Sequence, residues 1–371
     1  MNAAQLDKRY HALAARLQAE NQKALGIEET MQLAYAYNQV KFNAEDTWRR
    51  SLYTESFGAL TEANDKLTRK PLEMQDGWAI DRSLSLPYLS QMLEDADRII
   101  AEQRGARTKK SARYRSYFQN IWKDKDATRF PSFLNFLTSS DMLAVICNYL
   151  QTIPALSTTL PPGIRFVESN AAFDDRPDVA KDSQLFHTDY YSKPNVYVLV
   201  LLADTTFEHG PWTFFPKSTS DRAKQELGYW KRGKGYRMSD EEVYSVVDRS
   251  ELIEFSAPRG TVLFIDSSAC MHYGSRNSVK PRFQLMLGYS GVCRTDFSEV
   301  IQKPNRYPLR SSDPLLRQLI LDRYRRAPGQ PSELDPQTLP PLMSVLDALV
   351  QPGELQAKPE PTWFQRLFRI R

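Results

Sequence analysis

The sequence predicts a mainly β protein with helical flanks, a sandwich or jelly roll of antiparallel strands packed against N-terminal helices. Three observations carry that class. Apolar residues recur at helical spacing through the first 150 positions. From Ile164 to Tyr289 the chain turns into short β-branched and aromatic runs divided by turn residues. No helical pattern separates each run from the next, which argues against a doubly wound parallel sheet. The 371 residues exceed one ordinary domain and fall short of three. They divide into a helical region at 1–160, a β core at 161–303 with an insertion at 217–250, and a proline-rich region at 304–371.

The elements follow in order. Leu6, Tyr10, Leu13 and Leu17 form one helix face between Ala3 and Gln22; Gly26 ends that helix, and Glu28 to Val40 starts another. Pro87 to Arg104 and Ser132 to Leu150 predict two more, each with proline near its opening position. The serine- and threonine-laced basic stretch Arg104–Arg115 suits a solvated loop or helix end. Pro161-Pro162-Gly163 marks the change to strands, expected at Ile164–Glu168, Val196–Ala203, Trp212–Phe215, Leu252–Phe255, Thr261–Ile265 and Phe283–Tyr289. Eleven of the 23 prolines lie between Pro304 and Pro361, around two short helices: one opened by Ser312-Asp313-Pro314, one near Leu342–Val350.

Composition excludes several classes. With 41% hydrophobic and 25% charged residues the chain is globular rather than disordered or collagen-like. A net charge of +4 is too diffuse for a nucleic-acid footprint. The longest apolar run, Val196–Ala203, is too short for a transmembrane segment. Charges in MNAAQLDKRYHAL stand where a signal peptide needs an apolar core, and three cysteines without zinc spacing suit a reducing compartment. The expectation is a cytoplasmic protein acting on a small-molecule substrate.

Chemistry concentrates at Phe186-His187-Thr188-Asp189-Tyr190-Tyr191. In an extended chain His187 and Asp189 point to one side, giving two thirds of a facial triad for non-haem Fe(II). A second histidine must complete it, and the sequence has four in all. His11 sits on a charged helix face and His209 in the turn Glu208-His209-Gly210-Pro211; His272, just past the strand Thr261–Ile265, remains the candidate. Arg282, ten residues on, opens the next strand, where a guanidinium can hold a carboxylate through two parallel hydrogen bonds. A dicarboxylic cosubstrate needs such a group away from the metal.

Together with His209-Gly210-Pro211-Trp212-Thr213-Phe214-Phe215-Pro216 and His272-Tyr273-Gly274-Ser275-Arg276-Asn277-Ser278, these residues resemble the phytanoyl-CoA dioxygenase family of Fe(II)- and 2-oxoglutarate-dependent oxygenases. The resemblance covers roughly Ile164 to Gly291 and rests on the order of the motifs rather than on any single one. It implies a cupin-like double-stranded β-helix, iron on His187, Asp189 and His272, and the distal carboxylate of 2-oxoglutarate on Arg282, with O2 as the second cosubstrate. Two departures stand out. Pro216-Lys217-Ser218-Thr219 replaces a frequent Pro-Gly-Ser-His, whose histidine is not a ligand; and the serine after the distal histidine is displaced by one, to Ser275. Because family members that halogenate lack the carboxylate ligand, Asp189 implies hydroxylation or a related oxidation.

Other residues have weaker claims. Asn170 is a candidate for the keto-acid end of the cosubstrate, and Tyr190, Tyr191 and Trp212 are candidates for a substrate wall or for plain core. Arg276 is a second choice for the carboxylate. Cys270 would share a strand face with His272, but a soft thiolate suits other metals and a buried structural role suits it better. The insertion reads equally as a lid, whose basic cluster Lys231-Arg232-Gly233-Lys234-Gly235-Tyr236-Arg237 could also meet an anionic substrate group such as a phosphate or carboxylate, or as a solvated loop. The basic amphipathic end Thr362–Arg371 suits packing onto the domain, with weak membrane or partner contact as the alternative. Two further functions stay open: a cupin-like metal enzyme that does not use 2-oxoglutarate, and a non-catalytic jelly-roll binding module.

Overall fold

The computed structural model describes residues 27–103, 117–123, 125–157, 163–173, 179–230, 237–296 and 307–329. The helix expected at Ala3–Gln22 with His11, the basic stretch Arg104–Arg115, the helix near Leu342–Val350 and the C-terminal amphipathic end lie outside them.

The first helix, α1 (Ile27–Asn64), runs 38 residues, well past the expected Val40. No proline interrupts it, and buried Arg49 ties it down by donating to the carbonyls of Pro154 and Leu319. Then come β1 (Trp78–Asp81), α2 (Leu89–Gln103), β2 (Phe118–Asn120), α3 (Asp126–Arg129), α4 (Pro131–Leu137), α5 (Ser140–Leu150) and β3 (Ala155–Leu156). The single helix read at Ser132–Leu150 is therefore two. Thr138 and Ser139 turn their hydroxyls back onto the carbonyls of Leu134 and Phe136, offering the backbone an exit from the helix. Ser139 is extended, and α5 restarts behind it. The region is also not purely helical, because β1, β2 and β3 all join the main sheet.

The remaining strands are β4 (Ile164–Ser169), β5 (Asn195–Leu201), β6 (Thr213–Phe214), β7 (Ile253–Glu254), β8 (Val262–Asp266), β9 (His272–Tyr273) and β10 (Arg282–Ser290). They form a seven-stranded antiparallel sheet in the order β1-β8-β5-β10-β4-β2, with β3 on the end of β10, and a small sheet β7-β6-β9. The fold is a jelly roll of the cupin-like, double-stranded β-helix kind with helices on one side. Among the described residues no single helix is long and apolar enough to cross a membrane.

Strand alternation explains the layering. Val196, Val198 and Val200 of β5, Val262 and Phe264 of β8, Ile164 and Phe166 of β4, and Leu285 and Leu287 of β10 face outward into one core with α2, α4, α5 and α8 (Leu315–Leu321). Tyr197, Leu199 and Leu201, with Leu263 and Ile265, face inward against Trp212 and Phe214. The inner positions of β4 and β10 are different in kind: Arg165, Val167 and Ser169 on one strand, Arg282, Gln284 and Met286 on the other. At that end the inner face lines a cavity instead of a core. Gly288 lies opposite Tyr197, whose ring would sit 3.1 Å from any Cβ placed there. Its missing side chain makes room for that ring.

The insertion forms α6 (Lys217–Leu227) and α7 (Asp240–Tyr244). Tyr229, Trp230, Met238 and Val243 pack there against Phe186, Phe215 and Met271. Its described residues form a helical layer with its own apolar core, which the solvated-loop reading does not describe; residues 231–236 lie outside them.

Candidate metal and cosubstrate site

His187 and His272 are direct partners across an antiparallel bridge, exchanging backbone hydrogen bonds of 3.0 and 2.8 Å. Paired residues in an antiparallel ladder present their side chains to the same face. The two imidazoles accordingly lie with centroids 4.4 Å apart, and Asp189, two residues along the extended chain, joins them. Their ligand atoms all fall within 4.8 Å of one another, and all three residues are buried. Nε2 of His272 stands 3.9 Å from Asp189 Oδ2, beyond hydrogen-bond reach.

Each ring is fixed by the same local device. Nδ1 of His187 donates to the Leu185 carbonyl at 2.8 Å, and Nδ1 of His272 to the Cys270 carbonyl at 2.9 Å. Protonation at Nδ1 leaves the lone pair on Nε2, the tautomer a metal needs. Burial pushes the His272 pKa down against the opposing pull of Asp189, which keeps that ring neutral. Trp212 stacks on His272 at 4.2 Å and 26°. It comes so close because a Cβ at Gly274 would sit 2.8 Å from its ring. From the insertion, Tyr229 accepts a hydrogen bond from the Thr188 amide, between the two ligands on that strand. Two imidazoles and a carboxylate on one face fit a divalent first-row metal with open positions, Fe(II) among them.

Arg282 lies on the same cavity, only 4% exposed. Its Nη1 donates to the Gly210 carbonyl, and its Nη2 to Ser275 Oγ at 2.9 Å and Ser169 Oγ at 3.3 Å. Among the described residues no carboxylate pairs with it, and Nε has no partner. Burial alone pushes its pKa down to about 10. A buried cation supported only by neutral oxygens is built to meet an anion that comes from outside. The cavity has about 660 Å³ of empty space, counting what opens to solvent.

No protein-family model matches the chain, and no curated protein matches it in sequence. Among solved structures it is similar to the epimerase SnoN in complex with Fe3+, alpha ketoglutarate and nogalamycin RO, with TM-score 0.40 and 15% identity over 65% of this chain and 91% of that one. EctD from S. alaskensis with 2-oxoglutarate and 5-hydroxyectoine gives 0.36 and 14% over 70% and 82%. HygX from Streptomyces hygroscopicus with nickel and 2-oxoglutarate gives 0.34 and 15% over 58% and 82%.

The cavity gathers His187, Asp189, His272, Arg282, Ser275, Tyr191 and Trp212 of the residues singled out from the sequence. Ser275, displaced in the motif, still reaches Arg282 because its positive φ turns the hydroxyl inward. Asn170 does not line the cavity: its carboxamide oxygen accepts from the Ala172 amide in a local turn. Tyr190 packs with the insertion core and on Tyr191. Arg276 is committed to Asp240 of α7 at 2.8 Å and lies over the Tyr273 ring. Cys270 turns its thiol toward the backbone of Asp76 and Gly77 rather than toward the imidazoles. His209 bonds to Thr206 within its turn. Sequence reasoning missed Arg165 and Tyr197 on the cavity wall, whereas Arg237, the last residue of the insertion's basic cluster, does line it. The alternation of β4 carried a signal for Arg165, which shares a face with Val167 and Ser169.

Ser275→Ala removes one neutral acceptor from Arg282 and leaves Ser169. We expect binding of 2-oxoglutarate to weaken about two- to tenfold, the worth of one hydrogen bond of roughly 0.5–1.5 kcal/mol. Calorimetry on protein loaded with redox-inert Zn(II) measures it.

Proposed function

We propose that this chain is an Fe(II)- and 2-oxoglutarate-dependent dioxygenase that hydroxylates, or otherwise oxidises a C–H bond of, a small organic substrate and releases succinate and CO2. The observation that carries the reading is the buried Arg282 guanidinium, without a carboxylate partner among the described residues, on the cavity that holds His187, Asp189 and His272. A metal-only cupin has no need of that cation. Ferrous ion, with the keto acid and dioxygen, supplies the oxidant. The protein's own part is geometric and electrostatic. His187, Asp189 and His272 would hold the metal, a ligand set that leaves coordination positions for small molecules. Arg282, Ser275 and Ser169 would hold the distal carboxylate of the keto acid. Trp212 and Tyr229 keep the ligands from turning, and the insertion layer shields them from water. The order of the motifs from His187 to Arg282 supports the narrower placement among phytanoyl-CoA dioxygenase-like enzymes, and three cysteines without zinc spacing favour work in the cytoplasm.

The test is an anaerobic titration of the protein with Fe(II) and then 2-oxoglutarate, followed by visible absorption. A charge-transfer band that needs both additions, and is lost in His187→Ala, is the expected result. Absence of the band together with absence of 2-oxoglutarate binding by calorimetry overturns the proposal.

A further inference from the structure

Three arginines line the cavity, Arg165, Arg237 and Arg282, against one carboxylate, Asp189. The proposed cosubstrate has two carboxylates, and the reading above uses both: one on Arg282, the other beside the metal. Arg165 then has no anion assigned to it. It is half-buried, and among the described residues no carboxylate stands within ion-pair reach of it. Its guanidinium carbon lies 5.7 Å from the centre of the Phe118 ring.

Its position is set by register. Ser169 lies opposite Arg282 and Arg165 opposite Met286, so the two arginines stand on neighbouring strands four residues apart along the inner face. At about 3.3 Å per residue that is ~13 Å between their backbone positions. Around Arg165 the wall is apolar and aromatic: Phe118, Val167, Tyr197 and Met286. One end of the cavity therefore offers a cation inside a polar cradle of serines, the other a cation set among carbon.

Resting on the oxygenase reading, we propose that Arg165 is the specificity-determining anchor for the substrate, which is an organic anion: a carboxylate or phosphate monoester on an apolar body. The guanidinium takes the oxyanion and the surrounding side chains take the carbon frame, leaving a C–H bond displayed toward the metal face.

The test uses the full chain loaded with Zn(II) and saturated with 2-oxoglutarate, titrated by calorimetry with 3-phenylpropanoate, phenyl phosphate and the neutral 3-phenylpropanamide. The wild type is expected to bind at least one anion tenfold or more tighter than the amide, and Arg165→Met to lose that preference. Affinity of Arg165→Met for 2-oxoglutarate itself is expected to stay within threefold of wild type. Whichever anion is preferred identifies the headgroup. Equal binding of anions and amide, no anion binding by the wild type, or a preference retained in Arg165→Met overturns the proposal. So does a parallel loss of 2-oxoglutarate affinity, which would make Arg165 a cosubstrate residue. Failure of the wild type to bind 2-oxoglutarate at all strikes the oxygenase reading instead, and is seen before any substrate probe is added.

Discussion

Arg282→Met is expected to weaken 2-oxoglutarate binding by a hundredfold or more while leaving metal affinity and folding intact. Truncating one partner of a buried, hydrogen-bonded charge pair costs about 2–5 kcal/mol of binding. The methionine keeps most of the volume, and the three ligands to the metal are untouched. The fold should not suffer, because without its anion Arg282 is a buried cation held only by the Gly210 carbonyl and two serine hydroxyls. Removing such a charge is neutral or stabilising in many proteins. The wild type should melt higher when 2-oxoglutarate is added, by an increment equivalent to about 2.7 kcal/mol at a hundred times the dissociation constant. At the same concentration a variant weakened a hundredfold should gain no more than about 0.4 kcal/mol. Thermal denaturation of both Zn(II)-loaded proteins reads the difference. A variant that melts far below wild type in the absence of ligand would mean that Arg282 serves structure rather than the cosubstrate.

Gly210→Ala should damage stability and cosubstrate binding together. Gly210 sits in the left-handed region at φ 60° and ψ 62°, closing the turn that contains His209. A Cβ there would overlap Ser278 Oγ and the Arg276 carbonyl. Left-handed backbone costs an alanine about 1–2 kcal/mol, and overpacking a closed site adds about 1–3 kcal/mol. A loss of roughly 3 kcal/mol in urea denaturation is the expected outcome. The same carbonyl accepts from Arg282 and from the Ser275 amide at 3.3 Å, so displacing it moves both groups of the carboxylate cradle. Weaker 2-oxoglutarate binding in the fraction that folds should follow. Unchanged stability would show that the turn can shift without cost.

Much of this was legible from residue order. The long inner strands β4, β5, β8 and β10 could be read because each is five residues or more and alternates or runs apolar. β1, β2 and β3, at four, three and two residues, carry no readable period, and the first 150 positions therefore read as largely helical. They are strands only because an edge or end of the main sheet supplies their hydrogen bonds. Thr138 and Ser139 likewise divide a stretch whose apolar pattern is continuous.

The candidate site divides in the same way. His187 and Asp189 converge through local backbone geometry, so two residues of spacing suffice to predict that they share a face. That Arg282 begins a strand also follows from the sequence around it. Sequence could nominate His272 only by elimination among four histidines; the bridge between β9 and the His187 segment decides that it faces the other two. The same holds for Arg165, whose strand face is local information but whose lack of an ion-pair partner among the described residues is not. Asn170 shows the converse, because its neighbouring turn takes the carboxamide that spacing alone would offer to a ligand. Residue type and short-range geometry thus determined which groups can carry charge or bind metal. Long-range pairing of strands decided which of them meet, because distances between residues 85 apart in sequence are set by the register of the sheet and the packing that holds it.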